Sequence, residues 1–141
     1  MTALLARAKP WCDLLGRVLL SILFITQGWS KIGDYHGMQK FMEQGGVPGG
    51  LLPLVILLEL GGGLAIAGGL FARPLAAVFS GYCVLTGLLF HTGSRDATEQ
   101  MMLLKNLGLA GGFLLFAVHG AGGLSLDALL RRISAGRDPR G

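Results

Sequence analysis

Charge is scarce in this chain. Only 14% of its 141 residues are Asp, Glu, Lys or Arg, against about 25% in a soluble globular domain. The deficit argues against an ordinary water-solvated surface and makes lipid the expected solvent. Cysteine is nearly missing too. Cys12 and Cys83 form no CxxC pair and fall at different depths along the apolar runs, which disfavours a disulfide and thiol redox chemistry. The three histidines, His36, His91 and His119, stand far apart, and no metal-ligand spacing emerges. No Ser-His-Asp set or paired carboxylates can be placed either. Alternation with a period of two residues is also lacking, so strands are a poor reading.

What is present is hydrocarbon and glycine. Hydrophobic residues make up 52% of the chain, and half of its 24 glycines sit within the apolar runs rather than in linkers. There they allow helices to approach closely, which is how packing is gained where lipid removes the hydrophobic drive. Four apolar runs stand out, at about 14–32, 51–71, 74–92 and 101–119. Each is close to the ~20 residues a helix needs to cross ~30 Å of hydrocarbon. The expected fold is an all-α membrane protein, a four-transmembrane-helix bundle forming one domain over 1–133. The first run is too long for a signal-peptide core, and Gly28-Trp29-Ser30-Lys31 makes a poor cleavage site, so it reads as a retained helix.

The net charge of +4 comes largely from the ends. With the N-terminus in the cytoplasm, Arg7, Lys9, Arg73, Arg131, Arg132, Arg137 and Arg140 share one side. Lys40 and Arg95 take the other, with Lys31 at its edge. That asymmetry places both termini in the cytoplasm, and it makes orientation a better reading of the charge than nucleic-acid binding. Trp11 and Trp29 fall at opposite ends of the first helix, as an aromatic belt does. Between the first two runs, 36–44 mixes Met38, Phe41 and Met42 with polar residues. It suits a short outer interfacial helix ended by Gly45-Gly46 and Pro48. Ala72-Arg73 is a tight turn before Pro74, which opens the third helix. Gly120 to Gly123 breaks the chain, and Ser125 reads as the N-cap of a cytoplasmic surface helix over 126–133. Residues 134–141 are expected to be a disordered tail.

One carboxylate interrupts this pattern. Glu59 is the sole charge between Leu51 and Phe71, roughly 12 Å below the outer edge at 1.5 Å per residue. An ionised group at that depth is expensive and is kept with a partner or a job. Gln27, Lys31, His91, Glu99, Lys105 and Asn106 fall in the same outer half, so each of the four helices contributes to one polar cluster. The functional reading is a pocket opening outward, with Glu59 paired to Lys105 or Lys31 beside an imidazole able to relay a proton. The plainer reading makes Glu59–Lys105 a structural pair and lets Lys31 and His91 snorkel to the interface. Arg17, near the cytoplasmic end, reads as a lipid-headgroup anchor, and Tyr82 and Cys83 as core or lipid-facing residues. Repeats of small residues at Gly61, Ala65 and Gly69, and at Gly108 and Gly112, read as smooth packing faces. Gly61-Gly62-Gly63 lacks the strand and lysine of a phosphate loop, so packing is the better account there too.

Phe24-x-x-x-Gly28-x-x-Lys31-Ile32, Leu58-Glu59-x-x-Gly62-Gly63, Arg73, Phe90-His91, Lys105-Asn106 and Ser125-Leu126-Asp127 together resemble the DoxX family of small bacterial membrane proteins. The resemblance covers about residues 14–130. It implies a four-helix protein of the bacterial inner membrane. It also implies a link to redox chemistry, since related proteins form the membrane subunit of thiosulfate:quinone oxidoreductase and others associate with redox-stress enzymes. This chain has no cysteine motif, haem-ligand pair or flavin fingerprint of its own. The expectation is therefore an auxiliary, quinone-facing subunit, not an enzyme alone, that binds a quinone or other amphiphile in the outer pocket. Expected partners are membrane lipids, an oxidoreductase subunit or a second copy of the chain, and no nucleic acid. A small proton-coupled transporter and a non-catalytic scaffold are the alternatives.

Overall fold

The computed structural model describes residues 2–93 and 96–136, and all regular structure among them is helical. Helix α1 runs Thr2–Gly33, α2 Tyr35–Gln44, α3 Gly49–Gly68, α4 Ala72–His91, α5 Ala97–His119 and α6 Leu126–Ala135. Three of them, α3, α4 and α5, are long and apolar enough to cross a membrane. Leu57, Leu64, Leu104 and Leu114 point outward from them and are mostly exposed. Side chains of that kind along whole helices are stable against lipid, not water. The first helix does not carry the same apolar signature, because Arg17, Gln27 and Lys31 interrupt it. It is also longer than the expected run, starting at Thr2 and passing through Pro10 without a break.

The other boundaries follow local chemistry. Asp34 caps α2 by accepting from the Gly37 N–H at 3.2 Å, and Gly45 closes it. Helix α3 stops at Gly68, three residues before the expected end, because Gly69 turns left-handed at φ +72°. Helix α4 starts at Ala72, with Pro74 in its first turn, where a missing N–H costs nothing. Ser125 does cap α6, accepting from the Ala128 N–H at 3.2 Å. Helix α6 extends through Ala135 into the segment expected to be a disordered tail. Residues 137–141 of that tail lie outside the described residues.

Two helix pairs form the bundle: α1 packs against α3, and α4 against α5. The close approach of α1 to α3 rests on glycines outside the expected repeats. A Cβ on Gly28 would sit 2.7 Å from the Leu60 backbone nitrogen, and one on Gly63 would sit 3.0 Å from the Ile25 side chain. Gly62 faces the Phe79 ring, and Gly87 faces Asn106. Of the expected packing faces, Gly108 meets nothing within 4 Å and Gly61 meets only Leu57 of its own helix. Gly112 touches Leu20 of α1 at 3.4 Å and Gly69 sits against Ser125, Ala121 and Arg17, so each face packs at one of its glycines and not at the other. The pairs join through an aromatic layer. Phe79 stacks on Phe113 at 5.1 Å, and Phe24 packs edge-on to both, at 4.7 and 5.5 Å. Ser80 adds a buried hydrogen bond to the Ala110 carbonyl at 3.0 Å.

One end of the bundle is tied by a second set of contacts. Arg17, expected to reach toward headgroups, is instead buried and donates to the carbonyls of Ala121 and Leu124. Asp127 accepts from the N–H groups of Phe71 and Ala72, which cap α4, at 2.9 and 3.0 Å. Arg17 of α1, the α3–α4 turn and α6 therefore meet at one end, and α2 lies at the other.

These approaches predict opposite outcomes for two small substitutions. Alanine gains roughly 0.5–1 kcal/mol over glycine in a helix, but overpacking against an immobile backbone costs about 1–3 kcal/mol. Gly28→Ala should therefore lower the thermal unfolding midpoint in detergent, whereas Gly108→Ala should leave it unchanged or raise it. A rise for Gly28→Ala would contradict the observed α1–α3 contact.

Candidate functional site

Above the aromatic layer the two pairs part and enclose a cleft of about 570 Å³. Helices α1, α2, α3, α4 and α5 all line it. Its walls are mainly apolar, with Leu23, Val55, Leu85 and Leu89 among them, and Phe24 and Tyr82 form its floor. Helix α2 covers the mouth with Met38, Phe41 and Met42. It is held there by Phe41 stacked on Phe90 at 5.2 Å and by Gln39 Nε2 donating to the Gly49 carbonyl. The segment expected to rest at an interface is thus part of the cleft wall.

Glu59 is the centre of the polar chemistry. It is 4% exposed and sits in a π-helical stretch, Leu57–Gly62, inside α3. A residue inserted into a helix turns the following face by about 100°. Such π segments recur at functional sites because they aim a side chain that a regular helix would point elsewhere. Here the carboxylate meets two partners. Oε1 accepts from the Tyr82 hydroxyl at 2.6 Å, and Oε2 lies 2.6 Å from Lys31 Nζ. The Lys31 contact is an ion pair without hydrogen-bond alignment, which leaves Oε2 a buried acceptor with no donor in line.

The pairing settles the alternatives posed by the sequence. Lys31 does not snorkel away; its side chain is 11% exposed and turned to Glu59. Lys105 lines the cleft but is exposed and makes no ion pair among the described residues. Gln27, His91 and Asn106 are on the lining as well. Asn106 donates to the Met102 carbonyl at 3.1 Å, and Gln27 is largely exposed. Glu99 is off the lining but lies 2.6 Å from His91 Nδ1, so it orients that imidazole at the rim.

Tyr82 is the residue that sequence reasoning missed. Far from being only core or lipid-facing, it supplies the hydroxyl that holds Glu59. Thr86, one turn on, lines the cleft and donates to the Tyr82 carbonyl at 2.8 Å. The signal was available in principle: Tyr82 and Thr86 share a helix face, and both carry hydroxyls in an apolar run. A buried carboxylate, an ammonium and a phenol beside apolar walls can bind the polar head of an amphiphile and pass a proton along Lys31, Glu59 and Tyr82.

Helices fit for a membrane, with an ion pair buried beside an apolar cleft, define a polytopic membrane protein with an internal polar cleft. The DoxX family profile matches residues 12–92, more than half of the chain, including Lys31, Glu59, Tyr82 and His91 but not α5. The chain belongs to the DoxX family. It is 50% identical over 119 residues to inner membrane protein YqjF of Escherichia coli K12, which covers 84% of this chain and 92% of that one. It is 32% identical over 127 residues to inner membrane protein YphA of the same organism, covering 85% and 91%. No solved structure matches it.

Removing one member of a buried ion pair strands the other, typically at a cost of about 3–5 kcal/mol. Lys31→Met should therefore destabilise the protein in detergent far more than Lys105→Met. The double variant Lys31→Met/Glu59→Leu should recover most of the loss. Equal effects of the two lysine substitutions on the melting midpoint would contradict the pairing.

Proposed function

We propose that this protein binds a quinone, or an amphiphile of similar shape, in the cleft between its helix pairs, as the quinone-facing auxiliary subunit of an oxidoreductase. The observation that carries the reading is the Lys31–Glu59–Tyr82 set buried at one point of a 570 Å³ cleft whose other walls are mostly apolar. Specific sites for such ligands have this form, a largely apolar concavity with few polar groups that fix orientation. A quinone ring has the same division, with two carbonyl acceptors on an apolar body. Lys31 and the Tyr82 hydroxyl offer donors to a carbonyl, and Glu59 the acceptor for a hydroxyl after reduction. His91, oriented by Glu99, exchanges a proton at the rim. Lys105 adds charge beside it, and Gln27 and Asn106 position the head.

In this reading α1 is the fourth membrane span despite its polar residues, because Lys31 and Arg17 are turned into the protein and consumed there. Trp11 and Trp29, both exposed, lie about 27 Å apart along it, which suits the two interfaces of one bilayer. The relatives' names place them in the inner membrane, and the arginine-rich end then faces the cytoplasm. Transport is less well supported. The Phe24–Phe79–Phe113 layer and the carbonyl-bound Arg17 close the inner half to a polar path.

Organic extraction of protein purified in a lipid-retaining detergent, followed by mass spectrometry, tests this. Near one quinone per chain is expected, falling at least tenfold in Glu59→Gln and in the conservative Tyr82→Phe. Quinone at the level of bulk lipid in all three would overturn the proposal.

A further inference from the structure

The opposite end of the bundle holds a second cavity that the quinone reading does not use. It encloses about 390 Å³ between the α3–α4 turn, the loop after α5 and the start of α6. Arg73, His119, Arg131, Asp127 and Phe71 line it, together with the backbone of Gly120–Gly123.

Its charge is unbalanced. Asp127 is the one acid on the lining, and both its oxygens are occupied by the N–H groups of Phe71 and Ala72. Neither Arg73 nor Arg131 makes a hydrogen bond or ion pair among the described residues. Arg73 rests beside Gly120, where a Cβ would come 3.0 Å from its Nε. Gly120 and Gly122 both take positive φ, so the loop can bend around the cavity without side chains filling it. His119 Nδ1 lies 2.7 Å from the Leu115 carbonyl and so carries the proton there, leaving Nε2 for another partner. Two guanidiniums without partners among the described residues, facing one cavity, make an anion site, and planar guanidinium forks match phosphate oxygens in particular.

The backbone supplies an independent observation. Phe71 is the single non-glycine residue at positive φ among those described, at +47°, and its ring is 66% exposed at the cavity rim. A bulky side chain in that region is strained and persists when its surroundings hold it. Here Asp127 holds it through the backbone N–H, and the result is an aromatic ring projecting beside a cationic cavity.

We propose that this cavity binds a phosphate group between Arg73 and Arg131, with an anionic phospholipid as its source and Phe71 lying against the lipid's glycerol and acyl region. The site is distinct from the cleft around Glu59 and does not depend on what that cleft binds.

Native mass spectrometry of the full chain in detergent tests the assignment, with phosphatidylglycerol, phosphatidylcholine and inorganic phosphate as separate probes. Phosphatidylglycerol should be retained over phosphatidylcholine and lost at least tenfold in Arg73→Gln/Arg131→Gln. Arg132→Gln, which removes one charge from α6 outside the cavity, should retain it. Because neither arginine makes a bond among the described residues, the double variant should keep the wild-type melting midpoint. Arg73→Lys/Arg131→Lys, which preserves charge and removes the forks, provides a second reading with an intermediate loss. Inorganic phosphate bound in wild type and lost in the double variant, with no preference between the lipids, would support the site and make a soluble phosphate its ligand. Equal phosphatidylglycerol binding in wild type and double variant, or an equal loss in Arg132→Gln, would overturn it.

Discussion

The structure is organised by the need to keep one carboxylate in a place without water. Burying an ion costs several kcal/mol even after relaxation, so Glu59 survives only with a cation and a donor in contact. Lys31 comes from α1 and Tyr82 from α4, which commits both helix pairs to one geometry. The lysine reaches its partner because α1 and α3 touch at Gly28, where any side chain would strike the Leu60 backbone. The π-helical stretch re-aims Glu59, and the aromatic layer beneath fixes how far the pairs close. The cleft is the space left when those conditions are met together.

The two ends of the bundle solve different problems. At the cleft end, Glu59 and Lys31 are hidden and paired while Lys105 stays exposed, and the wall is finished by a short helix that grips Phe90. At the other end, Arg17 is consumed by loop carbonyls and Asp127 by the start of α4. Arg73 and Arg131 there make no hydrogen bond or ion pair among the described residues. Structural cations and free cations are thus separated within a few residues of each other, and only contacts tell them apart. Arg17 looked like a headgroup anchor and is a structural tie, whereas Arg73 in the turn is the unpaired one.

Much of the architecture was legible beforehand. Low charge, long apolar runs and glycine within them announced a helical membrane protein. Asp34 and Ser125 act at helix starts by local hydrogen bonds, and the Ser125 cap was readable because capping involves neighbours in sequence. The ends of α1 and α3 were less legible. Pro10 does not stop α1, and α3 ends early because Gly69 turns left-handed, a choice made by packing against Ser125, Ala121 and Arg17.

The sequence by itself determined the solvent, the helical class and the presence of a polar cluster near one end, since these follow from composition and from 1.5 Å of rise per residue. Six of its seven candidate residues line the cleft, and Glu99 supports one of them. Only tertiary structure decided that Lys31, not Lys105, neutralises Glu59, and that Tyr82 completes the set. Pairing depends on helix rotation and separation. Those were set by backbone contact at Gly28 and by one π-helical turn, neither of which leaves a periodic trace in the chain.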